Sequence, residues 1–240
     1  MQKSEHNILS TAELNKQLLD YAKSHGFNVD VIPFIEIKSI VHESLKVKVQ
    51  DLLQQNIIAV FSSNNAVDTV AKFLNKKPDW KIYCVGNTSK DSIENFFGGN
   101  SIAGVADNAD QLADLIIHDG IKQVVFFCGD KRRDELPEKL KQHNIFVEEF
   151  LMYTTIETPL PLKKKYDAIL FFSPSAVHSF FSVNQVDTST QVFAIGLTTA
   201  KAIQQYVITK VIMPKSPSKE NLVKQVAAYF NTIKNDQTVI

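Results

Sequence analysis

Phe61-Ser62-Ser63-Asn64-Asn65-Ala66-Val67 is followed, 110 positions later, by Phe171-Phe172-Ser173-Pro174-Ser175-Ala176-Val177. Each stretch closes an apolar run with small polar residues and reopens on Ala-Val. That pattern reads as a strand, a tight turn and an N-capped helix. The same offset carries Lys81-Ile82-Tyr83-Cys84-Val85-Gly86 onto Gln191-Val192-Phe193-Ala194-Ile195-Gly196. One constant displacement matching two strand-turn-helix starts marks an internal duplication.

A second offset, of 118, lays Leu18 to Val29 on Leu136 to Val147 and sets Gly26 against Asn144. Both of these residues tolerate a left-handed helix end. Further apolar runs at 8–9, 28–37, 57–61, 124–128, 146–152, 168–172 and 211–213 alternate with helical patterns such as Leu14, Leu18, Leu19 and Ala22. Strands alternating with helices imply parallel sheets built from βαβ units. The pieces therefore follow one another as first, second, first, second. Spacing alone leaves two architectures open, a tandem of contiguous domains or a chain that crosses early and returns late. The extended segments at 33–38 and 152–157 each end the second strand of a piece and can pair antiparallel, which favours the second. It assigns 1–35 with 157–240 to one lobe and 38–152 to the other, each with a flavodoxin-like sheet whose ligands belong at the carboxyl ends of the strands.

The chain of 240 residues carries 26 basic and 26 acidic side chains. Without a basic excess, a nucleic-acid partner is not expected. The opening Met1-Gln2-Lys3-Ser4-Glu5-His6-Asn7 is too polar for a secretory signal, and no apolar run is long enough to span a membrane. A cytoplasmic monomer is expected. Cys84 and Cys128 each lie inside an apolar run and read as buried, reduced thiols. None of the six histidines makes an H-x-x-x-H pair or neighbours a cysteine, so no metal is expected. The P-loop, the dinucleotide fingerprint and the G-x-S-x-G elbow are missing.

Candidate chemistry lies in turns. Ser62, Ser63 and Asn65, then Thr88 and Ser89, then Ser173 and Ser175, then Thr198 and Thr199 follow four predicted strands. Free N–H groups at a helix start, the helix dipole and hydroxyl donors all suit an anion, although the same residues serve as ordinary caps. A fifth turn, Gly129-Asp130-Lys131-Arg132-Arg133, offers Lys131, Arg132 and Arg133 to a carboxylate or phosphate. The alternative is a solvated helix start whose cations pair with Asp134 and Glu135.

Taken in order, Phe61 to Val67, Val85-Gly86, Gly129 with Arg133 and Leu136-Pro137, Tyr153-Thr154-Thr155, Tyr166 to Ile169, Phe172 to Val177, and Ala194 to Gly196 with Thr198-Thr199-Ala200 resemble uroporphyrinogen-III synthase. The likeness spans 8–226. It implies two flavodoxin-like lobes joined by a two-stranded ladder, with an active site in the cleft. It also implies cofactor-free closure of hydroxymethylbilane, a linear tetrapyrrole, to uroporphyrinogen III through a spirocyclic intermediate, with inversion of the last pyrrole ring and loss of water. The family's Tyr-x-Thr tyrosine, discussed as the proton donor to the departing hydroxyl, falls on Tyr153. One departure is clear: many members carry arginine and proline after the first strand, where this chain reads Ser10-Thr11-Ala12-Glu13. Two other readings stand beside the synthase. One is a non-catalytic relative that binds a tetrapyrrole or another anion. The other is a two-lobed sugar- or amino-acid-binding module of the periplasmic type, disfavoured by the polar start.

Overall fold

The computed structural model describes residues 6–237, the side chains of Asn87 and 233–237 excepted. In chain order the elements begin β1 (His6–Ser10), α1 (Lys16–Ser24), β2 (Phe27–Val31), β3 (Ile35–Ser39), α2 (Glu43–Leu52), β4 (Ile58–Phe61), α3 (Asn64–Ala71), β5 (Lys81–Val85) and α4 (Asn87–Phe96). After a 3-10 turn at Gly99–Ser101 come β6 (Ile102–Ala106), α5 (Ala109–His118), β7 (Gln123–Gly129), α6 (Glu135–Gln142) and β8 (Phe146–Glu157). The chain continues through β9 (Ala168–Phe171), α7 (Pro174–Phe181), β10 (Gln191–Ala194), α8 (Leu197–Ile203), β11 (Val211–Ile212) and α9 (Lys219–Gln237).

These elements form two compact units, Met1–Glu36 with Ile156–Ile240, and Ile37–Thr155. The first holds a parallel sheet in the order β11-β10-β9-β1-β2. The second holds β6-β5-β4-β7-β8, also parallel, with β3 outside β8. Ile40 N donates to the Met152 carbonyl and Thr158 N to that of Phe34. The two numberings run in opposite senses, so β3 and the long β8 pair antiparallel.

The duplication is physical. Under the two offsets β9 stands where β4 stands, β10 where β5, β1 where β7 and β2 where β8. From Phe61 to Lys72 and from Phe171 to Ser182 the succession of buried, half-buried and exposed positions is the same at every residue. Gly26 and Asn144 both take a left-handed backbone, with φ of 81° and 57°. The units differ in chain order. The strand-helix-strand piece comes first in one and last in the other, so each is a circular permutation of its counterpart.

Helices cover both faces of each sheet, which is why the strands read as unbroken apolar runs. In β9, Ala168 and Leu170 enter one core with Ile8, Phe193 and α9, while Ile169 and Phe171 enter another with Leu9, Val192 and α7. In the second unit Cys84 packs with Phe61, Trp80 and Phe127 on one face, and Cys128 with Val60, Phe126 and Leu140 on the other. Both cysteines are free and buried, and the sheet lies between them. Burial pushes both thiols up to about 11.

β6 is not among the apolar runs that the sequence marks. Its centre is Gly104, where an added Cβ would lie 2.5 Å from Leu115 Cδ2 and 2.7 Å from the Tyr83 ring. The Tyr83 ring occupies the space a strand side chain would fill, which weakens the sequence pattern there.

Candidate functional site

The most elaborated polar cluster stands at the carboxyl end of the second unit's sheet. Along β7 and β8 the register runs Cys128 to Leu151 and then Gly129 to Tyr153, so Met152 is the extra residue of a bulge. A bulge interrupts the alternation of side chains. Met152 is fully buried in the core that holds Phe61 and Phe127, and Tyr153, one residue later, packs against that same core. Without the bulge, Tyr153 would point to the other face.

The Tyr153 ring lies directly over Gly129. A Cβ there would be 2.5 Å from Tyr153 Cε2 and 2.7 Å from its hydroxyl oxygen. The hydroxyl donates to Ser63 Oγ at 3.0 Å. Ser63 is the N-cap of α3, and its Oγ also accepts from Asn65 N at 3.2 Å. Asp130 latches the end of β8: its N–H donates to the Tyr153 carbonyl at 3.2 Å, and its carboxylate accepts from Thr155 N at 2.8 Å. Burial raises the Tyr153 pKa above the ordinary phenol value, hydrogen bonds to Ser63 and Asn65 offset part of that, and Cys128 and Asp130 add to it. The phenol is therefore held protonated, pinned at ring and hydroxyl, with its oxygen at a helix start.

The three cations of the following turn divide. Arg132 pairs with Asp134 and, at 2.5 Å, with Glu149. Arg133 pairs with Glu135 at 3.5 Å. Lys131 is exposed. Both arginines thus have carboxylate partners, Asp134 and Glu135 beside their own turn and Glu149 on β8.

Ser62, Ser63 and Asn65 are half-buried and Thr88 is exposed, whereas Ser89 is packed inward at 4% exposure. In the first unit Ser173 caps α7, accepting from Ala176 N at 3.2 Å, and Ser175 and Thr198 are half-buried. Thr199, which the offset of 110 equates with Ser89, is likewise packed inward at 3%. Of each such pair, only the first hydroxyl, Thr88 or Thr198, reaches the surface. The sequence singles out Tyr153 and Ser63, and marks Gly129 and Asp130 as the start of a basic turn, but not their part as supports, Gly129 under the ring and Asp130 behind it. Their signal is the glycine at the end of β7, readable only once the register is known.

Among the described residues, no helix is long and apolar enough to cross a membrane, and no cluster of three His, Cys, Asp or Glu side chains could hold a metal ion.

Two solved structures share this fold. A mutant uroporphyrinogen III synthase from the extremely thermophilic bacterium Thermus thermophilus superposes with a TM-score of 0.69 at 14% identity, over 96% of this chain and 99% of that one. The uroporphyrinogen-III synthetase of Helicobacter pylori superposes at 0.65 and 17% identity, over 93% and 99%. An uncharacterised protein of Rickettsia prowazekii is 25% identical over 187 residues, 77% of this chain, and the aligned part spans 63% of that relative's length. The sequence model of uroporphyrinogen-III synthase HemD matches residues 16–224. With the whole sheet of the second unit, the Tyr153 bulge and the Ser63 cap inside that match, the chain belongs to the uroporphyrinogen-III synthase HemD family.

Proposed function

We propose that this protein closes hydroxymethylbilane to uroporphyrinogen III with inversion of the last pyrrole ring and loss of water. The observation that supports this most is the Tyr153 phenol, fixed on the β8 bulge and aimed at Ser63 Oγ. Loss of the substrate's hydroxyl as water needs a proton at that oxygen. A phenol kept protonated by burial supplies one, and general acid catalysis of this kind contributes typically about 10²–10⁴-fold. The departing electron pair leaves a cationic methylene carbon, which the electron-rich last ring attacks through its substituted α-carbon to form the spiro centre. That α-carbon's older methylene bond then breaks, and the ring's free α-carbon attacks the released methylene cation. Loss of the free α-carbon's hydrogen as a proton to solvent restores the pyrrole in the inverted sense. Ser63, relieved of the phenol's proton, has its own hydroxyl free to turn toward the substrate. Tyr153 recovers a proton from solvent after water leaves.

The substrate is polyacidic and the protein is neutral, so the carboxylates are assigned to backbone N–H groups and hydroxyls of the turns holding Ser62, Asn65, Thr88, Ser173, Ser175 and Thr198, with Lys131 as a cation. Orientation matters more than acceleration here, because the activated substrate also closes spontaneously to isomer I. The reading carries with it a monomer acting in the cytoplasm, without metal or cofactor and without a nucleic-acid partner.

Purified protein is given freshly made hydroxymethylbilane and the isomers are separated. Isomer III is the expected product, and Tyr153→Phe is expected to lower its rate by about 10²-fold or more. Isomer I alone refutes the synthase reading and leaves tetrapyrrole or anion binding without catalysis. Full isomer III formation by Tyr153→Phe removes the phenol from the mechanism.

A further inference from the structure

The segment between β11 and α9 runs across the carboxyl ends of the first unit's strands. Gly196, at the end of β10, faces Pro217, whose Cγ would lie 3.5 Å from a Cβ added there. Two residues on, the Lys219 ammonium donates to the Glu13 carbonyl oxygen at 2.7 Å, across 206 positions of sequence. It also stands 5.9 Å from the centroid of the Phe172 ring. Glu13 belongs to the turn after β1, and Phe172 immediately precedes Ser173, the N-cap of α7. β1 and β9 are parallel neighbours, so this ammonium sits where their two turns leave the same edge of the sheet.

Its chemical state is unusual for this chain. Lys139, Lys165 and Lys224 are held above the ordinary lysine pKa by hydrogen-bonded carboxylates. Lys219 is shifted downward, by loss of water around the ammonium, with the Glu13 charge offsetting only part. An ammonium has three N–H donors, and a carbonyl oxygen takes one of them here. The residue as a whole stays exposed, so the ammonium is only partly desolvated and its outer side is open to an arriving anion. Such an anion gains more from a partly desolvated cation than from a fully hydrated one.

We propose that Lys219 is an anion-binding residue of this rim, taking a carboxylate side arm of the tetrapyrrole on its two remaining N–H groups beside Ser173. The identity of that anion rests on the synthase reading; the geometry of the cation does not.

Lys219→Met keeps an aliphatic stem against Phe172 and removes the charge, while Lys219→Arg keeps the charge. Each full-length protein is titrated with uroporphyrin I, a stable polycarboxylic tetrapyrrole, by quenching of its fluorescence at several salt concentrations. Removing one charge-assisted contact is expected to weaken binding about tenfold and to flatten its salt dependence. Lys219→Arg is expected to stay within about threefold of the unaltered protein. With hydroxymethylbilane the loss falls on KM, and kcat changes by less than about twofold. A lysine that only anchors α9 would lower the unfolding midpoint and leave the salt dependence of affinity unchanged. That result, or equal binding by Lys219→Met, overturns the inference. An unaltered protein that binds uroporphyrin I but makes no isomer III refutes the enzymatic reading alone; one that makes isomer III without binding uroporphyrin I overturns the Lys219 inference alone, and one that does neither overturns both.

Discussion

Alanine at Gly129 would put a methyl group into the space of the Tyr153 ring. Gly129 is not among the residues with positive φ, so the substitution carries no backbone strain and its whole cost is steric. The new Cβ would stand 2.5 Å from Cε2 and 2.7 Å from the hydroxyl oxygen, against an ordinary contact of about 3.5–4.0 Å. The ring must withdraw by roughly 1 Å, and the hydroxyl then loses Ser63 Oγ, now 3.0 Å away. Overpacking costs about 1–3 kcal/mol, and the lost hydrogen bond about 1 more. The second unit should therefore lose about 2–4 kcal/mol, and with a urea slope of about 2 kcal/mol/M the midpoint should fall by about 1–2 M. Trp80 is the chain's only tryptophan. It is buried in that unit, stacked on Phe127 at 5.6 Å between ring centroids, so its fluorescence reports the unit in question. In a Tyr153→Ala background the ring is gone, and Gly129→Ala should cost less than about 0.5 kcal/mol. An equal loss in both backgrounds, or none in the unaltered protein, refutes the placement of the phenol on which the proposed proton transfer depends.

Three further outcomes are expected. Burial and the Asp119 carboxylate, 2.6 Å from the Tyr83 hydroxyl, push Tyr83 up to about 12. Its contribution is complete below an unfolded tyrosine's value near 10 and is lost as pH rises through the folded one. Urea midpoints read at Trp80 should fall across that window, and less steeply in Tyr83→Phe. Asn144→Ala should destabilise by about 1 kcal/mol, since only its left-handed backbone is penalised, while Asn144→Gly should be neutral or stabilising; chemical unfolding distinguishes them. Cys84 and Cys128, buried with thiols near 11, should react with an aromatic disulfide reagent only at the rate of unfolding. Prompt labelling in buffer would contradict their packing.

The duplicated turns were legible because the offset of 110 preserves residue types whose role is local: a serine that caps, an Ala-Val pair that packs, a glycine at a strand end. The offset of 118 exposed Asn144 as the partner of Gly26 for the same reason. Features that depend on pairing across the sheet were not legible. The bulge at Met152 exists only in the register of β8 on β7. β6 is masked because Gly104 makes room for the Tyr83 ring. The turn after β1 lacks a cation in sequence, yet the fold brings Lys219 to it from far along the chain. The basic run from Lys131 to Arg133 shows the reverse case, cations conspicuous in sequence whose arginines find carboxylates close by.

The permuted connectivity has a consequence for how the chain leaves the ribosome. The Ile37–Thr155 unit is contiguous, so all its parallel strands are available as soon as β8 has been made, and it can condense while synthesis continues. β1 must wait for β9, whose first partner residue is Ala168, before its sheet can grow past a strand pair. During that interval a nascent strand-helix-strand fragment of β1, α1 and β2 carries an exposed apolar edge. Translational pausing or chaperone capture should therefore matter for the early segment, and a variant that folds slowly there should aggregate before it is finished even if the completed protein is stable.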